Sequence, residues 1–283
     1  MILSSGLAGL GQRLGETDAY LGFGVGSPEG DGWFGFDDLI SSGLLDRLAA
    51  QLVAREGRRD VAGSYLGSHL ASPVVRTTVA SILLERRCPD PSPANVVVHL
   101  DGDGCFDGVS FRQPTMAVLA DDAAAAADPA SAVVDGPAAL ATWWAERMLA
   151  SLGPLLDGVR RRLPYGRRGL WGAVADRVGA VAMAVSRSAA IPGPAAWNEA
   201  SGLLDALARQ APVDITRPAP LPVLRPGGGE GWFIVRGTCC LYYRTIAEPD
   251  PCGEGYCTTC PFTDPDHRRR TLAGVLANSG SRS

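Results

Sequence analysis

The chain contains no lysine; all 26 of its basic residues are arginine. Chemistry that needs a lysine amine is thereby excluded, including a Walker-type phosphate lysine, a Schiff-base lysine and a kinase-type lysine. Histidine is nearly as scarce, and the three present, His69, His99 and His267, lie far apart. No H-E-x-x-H, G-x-S-x-G or S-x-x-K spacing occurs, so a hydrolase is poorly supported. A net charge of -4 and a pI near 5.4 give no basic face for a sequence-independent grip on nucleic acid. No apolar run approaches the length that spans a bilayer, and residues 1–30 lack the basic start and apolar core of a secretory signal. The expectation is a cytoplasmic protein without stable membrane insertion, in a compartment where thiols stay reduced and clustered cysteines favour metal over disulfide.

What the chain does have is length and helical patterning. With 283 residues and 46% hydrophobic content, it can bury about three quarters of its unfolded surface and needs no metal staple to fold. Residues 1–36 read as a loop-rich entry with room for short helix. Gly30-Asp31-Gly32-Trp33-Phe34-Gly35 meets the literal G-x-G-x-x-G spacing, but Ser27-Pro28-Glu29 stands where a dinucleotide site needs a strand. From Asp37 the apolar residues Ile40, Leu44, Leu45, Leu48 and Leu52 recur at helical steps, and Val61, Tyr65, Leu66 and His69 share a second face. His69 reads as a hydrogen-bonded core residue, and Ser72-Pro73 as the N-cap and first position of a further helix.

Val96 to Leu100 and Val109 to Phe111 read as strands joined by the turn Asp101-Gly102-Asp103-Gly104. That turn resembles the opening of a calcium loop, yet Cys105, Phe106 and Arg112 occupy positions that a calcium loop reserves for a ligand, a glycine and an acid. Cys88 and Cys105 are assigned to packing. Residues 121–136 form a small-residue connector, and Pro137 opens a long helix bent at Pro154, with Trp143 and Trp144 as core material. Helices over 170–185 and 194–209 follow. The basic stretch Arg160, Arg161, Arg162, Arg167 and Arg168 reads as a solvated rim rather than an anion site. From Arg217 the composition turns Pro-rich, then Gly-rich, and Trp232 to Val235 form a strand that runs into cysteine-rich sequence; a short helix over 265–277 ends the pattern.

Five of the seven cysteines fall between positions 239 and 260, too dense for packing thiols and suited to a soft, thiolate-bound metal centre. Cys239-Cys240-Leu241-Tyr242-Tyr243-Arg244, followed by Cys257-Thr258-Thr259-Cys260-Pro261, resembles the C-terminal signature of FhuF-type siderophore-iron reductases, C-C-x10-C-x2-C. Here sixteen residues separate Cys240 from Cys257, and the extra length carries Cys252, which has no counterpart in the pattern. The resemblance covers about the last fifty residues; Ala71-Ser72-Pro73-Val74-Val75 and Leu170-Trp171-Gly172 add to it weakly. It implies a [2Fe-2S] cluster held by Cys239, Cys240, Cys257 and Cys260, with Cys252 as an alternative ligand, and one-electron reduction of a ferric siderophore to release Fe(II). Oxygen donors hold Fe(III) far better than Fe(II), so one electron opens the chelate.

Structural zinc is a competing reading, although adjacent cysteines converge awkwardly on one tetrahedral ion. A siderophore-binding or electron-carrier module without turnover is another. Hydroxyls and amides of Thr238, Thr258 and Thr259 are candidates for hydrogen bonds to sulfur. Tyr242, Tyr243, Arg244 and the Arg268-Arg269-Arg270 run lie nearest in sequence and are candidates for contact with an anionic chelate or an acidic donor, against a plain role in packing and solvation. No flavin or nicotinamide motif is present, so electrons are expected from a separate ferredoxin or flavin reductase. The expected fold class is α+β: a helix-dominated part over 1–216 with a β-hairpin or small sheet near 95–120, then a small C-terminal iron-sulfur module over 217–283.

Overall fold

The computed structural model describes residues 6–122, 131–225, 227–245 and 255–279; Cys252 and residues 123–130 of the connector lie outside them. The fold is α+β and helix-dominated, 56% helix against 15% strand. The centre is formed by α4 (Arg59–Glu85), α5 (Pro137–Arg162), α6 (Arg167–Ser188) and α7 (Gly193–Gln210), with α3 (Leu44–Glu56) against α4. These helices form because their apolar residues are burial-ready at helical spacing: Leu140, Trp144, Met148, Leu152, Leu155 and Val159 of α5 are each at most 2% exposed. Trp144 also donates its indole N–H to Thr78 Oγ1 at 3.0 Å, so its one polar atom is satisfied in the core.

Ser72-Pro73 does not start a helix. α4 runs unbroken through Pro73, and Ser72 Oγ sits 3.0 Å from the Tyr20 hydroxyl instead of capping. An interior proline costs a helix about 3 kcal/mol, but here every residue from Leu70 to Ile82 is buried, and that packing overrides the local preference. His69, read as a hydrogen-bonded core residue, is half-buried and stacked on Tyr65, ring centroids 6.3 Å apart. The loop-rich entry contains a full helix, α1 (Leu7–Thr17), whose Leu7, Leu10 and Leu14 are buried in the main core. Its repeated glycines hid the 3.6-residue period.

Two small sheets flank the helices. The strands β1 (Gly24–Val25), β2 (Trp33–Gly35), β4 (Val96–Leu100) and β5 (Phe106–Phe111) form one in the order β1-β5-β4-β2, with the expected hairpin aligning Val98 with Val109. The second contains β3 (Arg87–Pro89), β6 (Met116–Leu119) and β7 (Ala132–Val134), so part of the small-residue connector is a strand. Cys88 is fully buried as expected, whereas Cys105 is exposed in the β4–β5 turn and is no packing residue. The basic stretch is largely tied to carboxylates: Arg162 to Asp46 at 2.6 Å, and Arg160 and Arg167 to Asp157.

The remaining hairpin matters most. β8 (Ala219–Leu224) pairs antiparallel with β9 (Glu230–Val235) across a turn in which Gly227, Gly228 and Gly229 all take positive φ, a conformation glycine adopts freely. Pro220 and Pro222 lack an N–H and make β8 an edge strand. Successive residues of β9 serve different cores. Ile234 joins the main core, while Phe233 joins a small second cluster with Leu221, Val223 and, from α8 (Pro265–Ser279), Leu272 and Leu276. Chain leaving β9 therefore enters the cysteine segment between the helical body on one side and α8 on the other.

Candidate metal centre

The site is built from the end of β9 outward. Asp176, on the buried face of α6, accepts hydrogen bonds from Arg236 Nε at 3.1 Å, Gly237 N at 2.7 Å and Thr238 N at 3.2 Å. One carboxylate thus fixes three consecutive residues just before Cys239. Thr238 packs directly on Gly172 of α6, where a Cβ would overlap its hydroxyl. Arg236 N donates to Thr259 O at 2.9 Å and ties the second cysteine segment to the first.

Adjacent cysteines point apart in extended chain, and the structure uses this. Leu241 takes a left-handed conformation (φ 63), and its N–H turns back to Cys239 Sγ at 3.4 Å. Cys240 Sγ lies 3.7 Å from Cys257 Sγ, while Cys239 has the Cys260 thiol as its hydrogen-bonding neighbour. The four sulfurs therefore stand as two pairs, 239 with 260 and 240 with 257, nested one inside the other. The turn that presents the second pair is closed by Cys260 N donating to Cys257 O at 2.8 Å and by Thr263 Oγ1 donating to the same carbonyl at 3.0 Å. Tyr165 OH donates to Cys239 O at 2.9 Å.

Arg268 closes the site from α8. It is 5% exposed, and its Nη2 donates to Cys260 O and Thr263 O, each at 2.7 Å, while Nε has no partner. Among the described residues no carboxylate pairs with it. A buried cation without a counter-charge is costly, and this one faces the loop that carries the thiols.

The electrostatics follow the pairing. The hydrogen bond with Cys257 brings the Cys240 thiol down to about 6, helped by Arg236 and by amides including that of Tyr242, against the effect of burial. Cys257 goes up, through the same hydrogen bond, burial and the Cys240 charge, so one proton is held between the two. Burial pushes Cys239 up to about 11. Burial alone would lower Arg236, but Asp176 and the thiolate charges raise it. Asp176 itself is raised by burial despite Arg236 and the two amides. The two partners pull in opposite directions, and for Asp176, 4% exposed, desolvation wins: the carboxylate stays because of the loop it holds, at a cost to the fold.

Whether this donor set fits a metal depends on the metal. Among the described residues no group of three or more His, Cys, Asp or Glu side chains is gathered tightly enough to hold one ion, and all six described cysteines are free. A single tetrahedral ion needs four convergent donors; a [2Fe-2S] group needs two sulfurs at each of two irons. Two thiol pairs, amides aimed at sulfur and a buried cation without a carboxylate fit the second requirement better.

The remaining expectations divide. Tyr242 and Tyr243 are exposed beside the thiols at 41% and 36%, with Tyr243, Tyr256 and Phe262 in a continuous aromatic row, centroids 5.3 and 6.0 Å apart. Arg244 is engaged in an ion pair with Asp60 at the start of α4 and hydrogen-bonds the Tyr243 hydroxyl. Among the described hydrogen bonds, none links a threonine hydroxyl to sulfur: Thr238 gives its N–H to Asp176, and Thr259 gives its carbonyl to Arg236. Backbone amides that donate to sulfur include those of Cys240, Leu241 and Tyr242. Asp176 and Arg236 are not among the residues the sequence points to, and Arg268, expected with Arg269 and Arg270 as a contact for an anionic chelate or donor, is instead buried against the carbonyls of Cys260 and Thr263. An acid directly after the apolar Leu170–Ala175 stretch is the available signal for Asp176, and the spacing of Arg268 with Leu272 and Leu276 is the signal for an inward-facing arginine. No protein-family model matches the chain, and no curated protein matches it.

Proposed function

We propose that the chain is a ferric-siderophore reductase whose Cys239, Cys240, Cys257 and Cys260 hold a [2Fe-2S] cluster. The observation that carries this reading is the nested pairing of the four thiols, with the buried, carboxylate-free Arg268 against their loop. When bound, the cluster supplies one electron to chelated Fe(III), which releases the metal as Fe(II). The chain's own residues position and insulate it. Asp176 and Gly172 hold the first cysteine segment against α6, Arg268 holds the second, and the exposed Tyr242, Tyr243 and Phe262 form the face on which a chelate or donor approaches. The reading places the protein in the cytoplasm, with a ferredoxin or flavin reductase as electron source.

The purified protein is expected to be brown, with visible absorption that bleaches on reduction. Serine at Cys239, Cys240, Cys257 or Cys260 abolishes that absorption, and serine at Cys88 or Cys105 leaves it intact. Stoichiometric zinc without iron in freshly purified protein would sink the proposal. Mixing chemically reduced protein with a ferric siderophore and a ferrous trap separates reductase from carrier: the reductase reoxidises as ferrous iron appears, and a mere binding or carrier module does not.

A further inference from the structure

A cleft of about 180 Å³ opens between α4, α6 and the cysteine segments, lined by Ser68, Asp176, Arg177, Ile234, Arg236 and Thr259. Among the larger clefts, two of about 520 and 510 Å³ lie elsewhere, one at the ends of α5 and α7 and one beside Tyr165. Neither is lined by a cysteine-loop residue or combines a buried carboxylate with two arginines. The smaller cleft has Thr259, inside Cys257-x-x-Cys260, as one wall.

Its charge is unbalanced. Arg177 forms no ion pair among the described residues; its described hydrogen bond goes to Ser68 Oγ at 3.3 Å. Two turns from Ser68 along α4, Arg76 is 1% exposed, lies 4.0 Å over the Tyr20 ring, and leaves Nε and Nη1 without partners. Arg76 and Arg236 both act on Arg177 as repelling charges, and the nearby carboxylate, Asp176, is already shared by Arg236 and two amides. The two guanidinium groups that line the cleft, with Arg76 acting on Arg177 from behind it, face one carboxylate already in use; that leaves positive charge an oxyanion would balance, and guanidinium forks suit a carboxylate.

We propose that this cleft is an anion site that takes a carboxylate arm of the ligand approaching the cysteines, with Arg177 as its principal contact. At about 30 Å³ per water the space equals about six waters, enough for one arm and too little for a whole multidentate chelate. The site thus selects anionic, carboxylate-bearing ferric chelates over neutral ones. This assignment of the arm to a chelate rests on the reductase reading.

The test is equilibrium titration of the full-length purified protein with ferric citrate and with neutral ferric tris-acetohydroxamate. Wild-type protein binds the citrate complex about tenfold or more tightly, as expected for one charge-assisted hydrogen bond. Arg177→Gln removes that preference and leaves the neutral complex unaffected; Arg177→Lys, which keeps charge but loses the fork, retains part of it. Folding is not at issue in the first variant, because it removes an unpaired buried charge, and circular dichroism checks it. Equal affinity for the two complexes in the wild type, or an unchanged preference in Arg177→Gln, overturns the site. Failure of reduced protein to transfer an electron to either complex overturns the reductase reading while the binding preference stands.

Discussion

At the scale of single residues, Asp176 sets the terms. Its pKa is raised by burial, so the favourable contribution of its neutral form is fully present below the ordinary carboxylate value of about 4 and is lost as pH rises through the raised folded value. Wild-type stability should fall across that window, and Asp176→Asn should abolish the fall, as read by urea denaturation at a series of pH values. The same variant cannot accept from Arg236, Gly237 and Thr238 together, so the proposed cluster should be lost to a chelator roughly 10- to 100-fold more readily. A variant that loses the pH dependence and keeps the proposed cluster would show that the carboxylate does not position the loop. The sequence displayed this residue without its partners: Asp176 and Gly237 are 61 residues apart, and no local pattern announces such a bond. The cysteines were legible because their density is itself chemical information. The pairing was not, because it depends on the φ of Leu241, a left-handed conformation that leucine rarely adopts.

At the scale of elements, α8 is inconspicuous by sequence and consequential for the site. It covers the small core with Leu272 and Leu276, and Leu276 packs on Gly231 where a side chain would not fit. One turn earlier than Leu272, on the same face, Arg268 reaches the carbonyls of Cys260 and Thr263. Arg268→Met should destabilise the protein by about 2 kcal/mol and lower the midpoint potential of the proposed cluster, since a nearby cation favours the more negative reduced state. Arg268→Lys should recover much of the potential and little of the stability. An unchanged potential in Arg268→Met would show that the guanidinium only fastens the loop. Most helices were readable from period alone, with ends off by a few residues. Only short helix is legible where α1 lies, because glycine breaks up its face, and the boundary expected at Ser72-Pro73 is absent because burial on both sides of Pro73 outweighs a local rule.

At the scale of the whole molecule, the helical body and the hairpin are joined by β9, whose neighbouring residues Phe233 and Ile234 face separate cores. A chain ending after Asp264 would leave Leu221, Val223 and Phe233 uncovered beside the edge strand β8. It should self-associate on concentration, as seen by light scattering, whereas the full chain stays dispersed; a dispersed truncated chain would mean that α8 is dispensable as a cover. The α+β class and the position of the cysteine segment followed from composition and period, while the connector strand β7 and the two-sided use of β9 arise from long-range pairing. That two-sided use also acts as a ruler. Sliding β9 by one residue would turn Phe233 toward the helices and Ile234 toward α8, spoiling both cores in one step. Cys239 stands four residues beyond the end of the strand, so the penalty that forbids the slip also fixes, by counting along the chain, where the first thiol pair stands relative to the second.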